Sequence, residues 1–136
     1  MSDLHLEFDL HNGCEFDPGT GDVLVLAGDV CLAADVENPL YQNFFEKCVA
    51  GYNNVLYVMG NHEHYHGDFN KSYAQLKAGL PKGITLLNNT AVKIDGVNFI
   101  GATMWTSMNN LDVETIETAR GRMNDYQCVE NFSPER

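Results

Sequence analysis

The chain has 136 residues, enough for one domain with a hydrophobic core and too few for two. Its formal net charge of −11 makes nucleic acid an unlikely partner, because binding of that kind depends on phosphate neutralisation by Lys and Arg. No apolar stretch approaches the ~20 residues of a membrane span, so we expect no membrane partner. The four cysteines form no Cys-x-x-Cys pair and no signal peptide precedes them, which favours reduced thiols in a cytoplasmic protein over two disulfides.

The first half of the chain predicts a strand–helix–strand unit. Residues 23–27 and 55–59 are uninterrupted apolar runs closed by Gly28 and Gly60, as in strands that are buried on both faces of a sheet. Between them, residues 40–49 carry apolar side chains at the spacing of an amphipathic helix. A βαβ unit of this kind predicts parallel pairing of the two strands and a right-handed crossover.

Shorter elements are predicted in the second half, and the fold class that follows is α/β with mixed, largely parallel sheets. The predicted elements are helices at 69–78 and 113–123, a strand at 84–87, and a hairpin of strands 90–94 and 97–102 around an Asp95-Gly96 turn. A further helix is expected to begin at Ser133, with Pro134 in its first position. Only two residues precede Asp3, so we expect that the strand leading into it is missing.

Three short polar segments carry the side chains that can do chemistry. Asp3 and His5 are two residues apart, so in an extended segment both side chains point the same way. Asp29 follows the first apolar run, and the carboxyl ends of strands are where open α/β sheets bind ligands. After the second run, Asn61 offers an amide oxygen to a metal and His62 can hold a proton near neutral pH. Each segment alone is also compatible with a surface loop or a turn, whereas the three together favour a metal site.

Taken in this order, the segments resemble the signature of the calcineurin-like metallophosphoesterases. That signature begins with Asp-x-His, Gly-Asp and Gly-Asn-His-Glu, which match residues 3–5, 28–29 and 60–63. The flanking residues 2–8 and 101–106 are similar to a bacterial and phage branch of small members. The resemblance implies a layered α/β/β/α sandwich and a hydrolase that cleaves phosphomonoesters or phosphodiesters with a metal-activated hydroxide at a two-metal site.

The same resemblance assigns a role to five residues. Asp3 and His5 would hold one metal, Asp29 would bridge both metals, and Asn61 would hold the second. His62 would be the catalytic residue, either as the acid that protonates the leaving alcohol or as a donor to the phosphoryl oxygens. The two divalent ions would be Mn²⁺, Fe²⁺/Fe³⁺ or Zn²⁺, which such ligands suit about equally.

The chain also departs from the family pattern. No histidine follows His66, so the later His and the Gly-His-x-His segment of the family are missing. We therefore expect residues 1–136 to be the front half of a single domain, with further ligands from a C-terminal segment or a second chain. The alternative is a non-catalytic fragment or interaction module that keeps the fold. Leu32 stands where some members have an Asp that orients the catalytic His, so His62 must be oriented in another way.

Several other residues receive structural rather than catalytic interpretations. His64 and His66 are expected at the substrate edge or in solvent, and nothing is assigned to His11. The remaining assignments are Met104 and Trp105 as core or pocket wall, Cys31 as a buried thiol, and Arg120, Arg122, Asn124 and Asp125 as a solvated helix end rather than a phosphate contact.

Overall fold

A computed structural model describes residues 1–8 and 16–133 of the chain. Its main sheet has three parallel strands in the order β1 (Gly21–Ala27), β2 (Tyr52–Val58) and β3 (Ile84–Leu87). The predicted parallel pairing of the first two strands is confirmed. Because all three strands run the same way, their carboxyl ends lie at one edge of the sheet.

Two helices connect these strands, α1 (Pro39–Gly51) and α2 (Phe69–Gly79). Each begins at a side chain that accepts a hydrogen bond from a backbone amide of the first turn, which otherwise has no partner. Asn38 does this for α1, where Pro39 fills the first position, and Asp68 does it for α2. Both helices match the sequence prediction to within two residues.

The core lies between α1 and the sheet. The four buried side chains of α1 are Tyr41, Phe44, Phe45 and Cys48, and those of β2 are Val55, Leu56 and Tyr57. β2 is therefore buried on both faces, as predicted. For β1 the same prediction is wrong, because Leu24 and Leu26 are buried whereas Ala27 is exposed. Ala27 borders an open cleft instead of a packed layer.

A second sheet consists of the antiparallel hairpin β4 (Thr90–Ile94) and β5 (Val97–Gly101). Its turn has positive φ at Asp95 (46°) and Gly96 (84°), as the Asp-Gly pair predicts. At the end of β5, Gly101 lies so close to Leu87 that a side chain there would collide with it. The hairpin thus reaches the carboxyl end of the main sheet, and the fold is a mixed α/β arrangement of a parallel and a second sheet.

Three short helical segments follow, α3 (Met108–Leu111), α4 (Val113–Arg122) and α5 (Asp125–Cys128). All four residues of α3 have positive φ, so this single turn is left-handed. The chain after α5 lies beside the start of α2, where Asp68 and Glu130 form an isolated parallel bridge. The helix expected after Ser133 falls outside the described residues. Within 1–8 and 16–133, no helix has the length and apolar character to cross a membrane.

Candidate metal centre

The three polar segments meet at the carboxyl end of the main sheet. Ala27 lies opposite Val58 in the parallel pairing, so the residues that follow β1 and β2 emerge side by side. The amino-terminal segment runs along the same edge, with the amide of His5 donating to the carbonyl oxygen of Asp29 at 3.0 Å. Met1 donates to Val25 and accepts from Ala27, each at 2.7 Å, which is the hydrogen-bond pattern of a parallel strand pair.

Three of the predicted residues form a cluster that could hold a metal ion. His5, Asp29 and His62 each offer one ligand atom, and these atoms lie within 4.8 Å of one another. Asp3 is exposed and lies outside this cluster. Imidazole and carboxylate ligands in one place suit divalent transition metals.

The backbone of these segments differs from the prediction. Asp3 and His5 have φ of 54° and 46°, so the segment is not extended, and their side chains do not follow the alternation of a strand. Asp29 also has a left-handed φ, of 53°. Asp, Asn and His adopt this region more readily than other residues with side chains, but it remains strained. Strained residues of this kind concentrate at functional sites, where the surrounding structure holds them in place.

The carboxylate of Asp29 is fixed by the loop that follows β2. Its Oδ1 accepts a hydrogen bond from the amide of His62 at 2.9 Å. A side chain at Gly60 would collide with this carboxylate, and one at Gly28 would approach the backbone of Gly60 within 3.0 Å. Both glycines are therefore required for the close approach of the two loops.

Glu63 connects the loop that follows β1 with the loop that follows β2. Its side chain is completely buried. One carboxylate oxygen accepts from the amide of Val30 at 2.7 Å and from the hydroxyl of Tyr57 at 2.7 Å. The other accepts from the amides of Gly60 at 2.6 Å and Asp29 at 3.1 Å. Glu63 is the last residue of the Gly-Asn-His-Glu motif, and no role was predicted for it.

Burial controls the ionisation of the groups around Glu63. Desolvation raises the pKa of Glu63, and the hydrogen bonds from Val30, Tyr57, Gly60 and Asp29 act against this increase. Desolvation also raises the pKa of the Cys31 thiol, which is fully buried 3.8 Å from the Tyr57 hydroxyl. The prediction that Cys31 is a buried thiol is confirmed.

A second glutamate, which the sequence analysis missed, joins the two histidines of the cluster. Oε1 of Glu7 lies 2.8 Å from Nδ1 of His62 and 3.1 Å from Nδ1 of His5. The Glu7 side chain is only 8% exposed, and its Oε2 is buried with no hydrogen-bond partner among the described residues. A carboxylate only accepts hydrogen bonds, so in both contacts with an ionised Glu7 the Nδ1 atom of the histidine must carry the proton and donate it. The Nε2 atom of each ring is not used in these contacts.

The ring of His62 is also held by aromatic contacts. It stacks on Tyr65 with ring centres 4.2 Å apart, and it meets His5 edge-on at 4.3 Å. The side-chain Nδ2 of Asn61 donates to the Tyr65 hydroxyl at 3.4 Å. Glu7 and Tyr65 therefore orient His62, as expected for a chain in which Leu32 takes the place of the family's Asp.

The family is identified by comparison with known proteins. The family described as calcineurin-like phosphoesterase matches residues 2–131 of the chain. The chain belongs to this family. It is 30% identical to an uncharacterized protein of Acanthamoeba polyphaga mimivirus, over 97% of this chain and 51% of the viral protein. Its fold is similar to the crystal structure of the phosphopantetheinyl hydrolase from Mycobacterium tuberculosis, with a TM-score of 0.56 and 17% identity.

The chain spans about half the length of these two similar proteins. The structural alignment covers 99% of this chain and 54% of the mycobacterial chain. Family membership supports hydrolysis of phosphate esters and binding of divalent metals in general terms. The His5–Asp29–His62 cluster is consistent with that chemistry.

Two residues predicted near or in solvent are buried in the structure. Of the two positions predicted for His64, solvent is wrong, because its side chain is 6% exposed and stacks on Phe69 with ring centres 4.5 Å apart; the other, the substrate edge, stays a prediction. Burial lowers the pKa of His64 to about 4, against an opposing effect of the Asp125 charge. Asp125 was predicted at a solvated helix end, which is wrong, since it is 6% exposed and lines the cleft beside Asn61.

The remaining assignments agree with the structure where it describes them. His66 is exposed, and so are Arg120 and Arg122. Trp105 and Met104 both line the cleft, as predicted for a pocket wall, whereas the alternative of a core position is wrong for Met104, which is 94% exposed. His11 falls outside the described residues.

Proposed function

We propose that this protein hydrolyses phosphomonoesters or phosphodiesters at a site for two divalent cations. The observation that carries the proposal is that two proposed metal ligands, His5 and Asp29, converge with the proposed catalytic residue His62 within 4.8 Å at the carboxyl end of the parallel sheet. Membership of the calcineurin-like phosphoesterases supports the reaction class. Left-handed backbone at His5 and Asp29 supports a site whose geometry is imposed by the fold.

The residues present fit divalent cations. In the proposed assignment, Asp3 and His5 hold one cation, Asp29 bridges both, and Asn61 holds the second. The buried Oε2 of Glu7, which has no partner among the described residues, supports a site that gains a positively charged or hydrogen-bonding neighbour when it is filled. When bound, the two cations would activate water and offset the negative charge of the phosphoryl oxygens.

His62 is the proposed catalytic residue. Its Nδ1 faces Glu7 at 2.8 Å, so Nε2 is the nitrogen available to the substrate. From there a protonated ring can donate to the oxygen of the leaving alcohol or to a phosphoryl oxygen. Tyr65, stacked on the ring at 4.2 Å, limits its rotation and keeps Nε2 in one direction.

We further propose that the chain is the front half of one phosphoesterase domain. The observation behind this proposal is that the chain covers 51% of the viral relative and 54% of the mycobacterial hydrolase. The histidine ligands that the family places later in its sequence would come from a further segment or a second chain. Manganese is the metal we would test first. A cytoplasmic location is a separate part of the proposal, and the free thiols of Cys31, Cys48 and Cys128 support it.

The test compares metal binding with phosphatase activity. The protein is titrated with Mn²⁺ and Zn²⁺ by calorimetry, alone and together with the later half of a related domain supplied as a second chain. Hydrolysis of p-nitrophenyl phosphate and bis(p-nitrophenyl) phosphate is then measured. We expect weak metal binding by the chain alone, and both tight binding and hydrolysis after complementation.

Asp29→Asn should abolish most of the hydrolysis, because an amide cannot bridge two cations as a carboxylate does. Asp22→Asn is the matched control, since Asp22 is exposed at the opposite end of the same strand. Equal hydrolysis by the two variants would contradict the bridging role. Metal binding without any hydrolysis after complementation would instead favour the non-catalytic alternative.

A further inference from the structure

A cavity lies next to the proposed metal centre, between the end of β3 and the start of α2. Its volume is about 300 Å³, which is the size of a small-molecule pocket. Met59, Thr103 and Trp105 line it, and the same three residues line a second cavity of about 450 Å³ that reaches Gly60 and Asn61. A molecule with its phosphate at the metal centre can therefore extend into the first cavity, which we call the ring cavity.

Aromatic side chains form much of the wall of the ring cavity. Phe69, Tyr73 and Trp105 all line it. Phe69 and Trp105 lie 5.9 Å apart between ring centres, with their planes inclined by 60°, so each can present a face or an edge to a ligand. Such walls favour flat aromatic rings, which stack on them with little dependence on the identity of the ring.

One buried polar group in the ring cavity has no partner. His64 lines the cavity and is 6% exposed, and its Nδ1 has no hydrogen-bond partner among the described residues. A buried polar atom without a partner is unfavourable, so a ligand that supplies a hydrogen bond would remove that penalty. The side-chain amides of Asn88 and Asn89 add donors and acceptors at the rim.

Formal charge is absent from the ring cavity. None of the described residues that line it has a carboxylate, ammonium or guanidinium group. A charged ligand group would therefore be desolvated there without an opposite charge to compensate it. The cavity combines flat apolar walls with hydrogen-bonding groups, which matches an uncharged heteroaromatic ring.

We infer that the ring cavity binds the organic part of the phosphoester, and that this part carries an uncharged planar heteroaromatic ring, as a nucleotide does. The inference rests on the proposed function for the position of the phosphate. Ring binding itself does not require metal or hydrolysis, so it can be measured separately. His64 then acts as a specificity-determining residue, since it hydrogen-bonds the edge of the ring.

Trp105 is the only tryptophan of the chain and lines the ring cavity, so its fluorescence reports on the occupant. The metal-free protein is titrated with adenosine and uridine, with ribose as a non-aromatic probe and toluene as a ring without any hydrogen-bonding group. We expect a saturable change with the nucleosides, a weaker one with toluene and none with ribose. No saturable change with either nucleoside, or an equal change with ribose, would overturn the inference.

His64→Phe keeps the aromatic wall and removes the ring nitrogens, and should weaken nucleoside binding about tenfold while leaving toluene binding unchanged. His66→Asn, at the exposed histidine two residues further on, is the matched control and should bind like the unmodified protein. If His64→Phe fails to fold by circular dichroism, Phe69→Leu replaces it and should weaken the binding of all rings. Nucleoside binding that neither variant alters would overturn the inference.

The two proposals can fail separately. Nucleoside binding in a protein that hydrolyses no phosphoester after complementation would support the ring cavity and contradict the proposed function. Hydrolysis of nucleotides and of glycerol phosphate at equal efficiency would support the proposed function and overturn the inference about the ring.

Discussion

Oε1 of Glu7 lies 2.8 Å from Nδ1 of His62, although the two residues are 55 positions apart in the chain. The same oxygen also faces Nδ1 of His5 at 3.1 Å. One carboxylate thus fixes the orientation of two imidazoles, and both Nε2 atoms remain free. Carboxylates that hold the second nitrogen of a ligating histidine are common around metal centres, where they set both tautomer and ring direction.

Glu7→Gln should lower the affinity of the complemented protein for Mn²⁺ by about 10–100-fold, the usual effect of losing such a partner. The neutral amide oxygen accepts the two hydrogen bonds less strongly than the charged carboxylate oxygen does, so it holds the two rings less firmly. Calorimetric titration with Mn²⁺ measures the effect. Glu46→Gln, on the exposed face of α1, is the control and should leave the affinity unchanged. Equal affinities for the two variants would show that Glu7 does not position the histidines.

Glu63→Gln should reduce the free energy of unfolding by about 2–4 kcal/mol, because an amide NH₂ group would face donors that now share a carboxylate. The hydrogen bonds at risk come from Val30, Tyr57, Gly60 and Asp29. The midpoint of urea unfolding measures this loss. Glu37→Gln, at an exposed glutamate, should unfold like the unmodified protein. A Glu63→Gln midpoint equal to that of the control would mean that Glu63 does not join the loops.

Much of the fold could be predicted because its signals are local. Apolar runs ending in glycine identified β1 and β2, and the Asp95-Gly96 pair identified the hairpin turn. The convergence of Asp29 and His62 was also predictable, since the residues after two paired parallel strands must emerge at the same edge of the sheet. Strand pairing alone, however, does not require the side chains of Asp29 and His62 to lie within contact distance.

The roles of Glu7 and Glu63 could not be predicted, because they depend on contacts between loops that are distant in sequence. Glu63 contacts Val30 across 33 positions. The backbone at His5 was mispredicted for a related reason: its left-handed φ of 46° is held by the hydrogen bond of its amide to Asp29. The burial of Asp125 likewise depends on the packing of α5 beside the cleft.

Gly60→Ala should leave the fold intact and weaken Mn²⁺ binding by the complemented protein at least about tenfold. Gly60 is not among the glycines with positive φ, so its backbone accepts alanine, but the added Cβ would collide with the carboxylate and the backbone nitrogen of Asp29. The displaced carboxylate would no longer face His5 and His62. Overpacking of this kind typically costs about 1–3 kcal/mol of stability.

The matched control for this substitution is Gly121→Ala, because Gly121 lies within α4 and, outside the backbone of that helix and the adjacent residues, no atom of the described residues approaches a Cβ built there within 4 Å. It should stabilise the protein by about 0.5–1 kcal/mol through the helix propensity of alanine. Calorimetry and urea unfolding of both variants give the comparison. Unchanged Mn²⁺ binding by Gly60→Ala would mean that Asp29 does not depend on this close approach.

His64 should make the protein less stable at mildly acidic pH. Burial lowers its pKa from 6.5 to about 4, so the unfolded chain takes up a proton at a higher pH than the folded one. The contribution of neutral His64 to the free energy of unfolding is therefore fully present above pH 6.5. As the pH falls towards 4, the free energy of unfolding decreases by on the order of 3 kcal/mol. The measurement is urea unfolding at pH 7 and pH 4 with EDTA present, for the unmodified protein, His64→Phe and the control His66→Asn. His64→Phe should lose less stability than the other two, and an equal loss in all three would show that the folded protein does not hold His64 neutral.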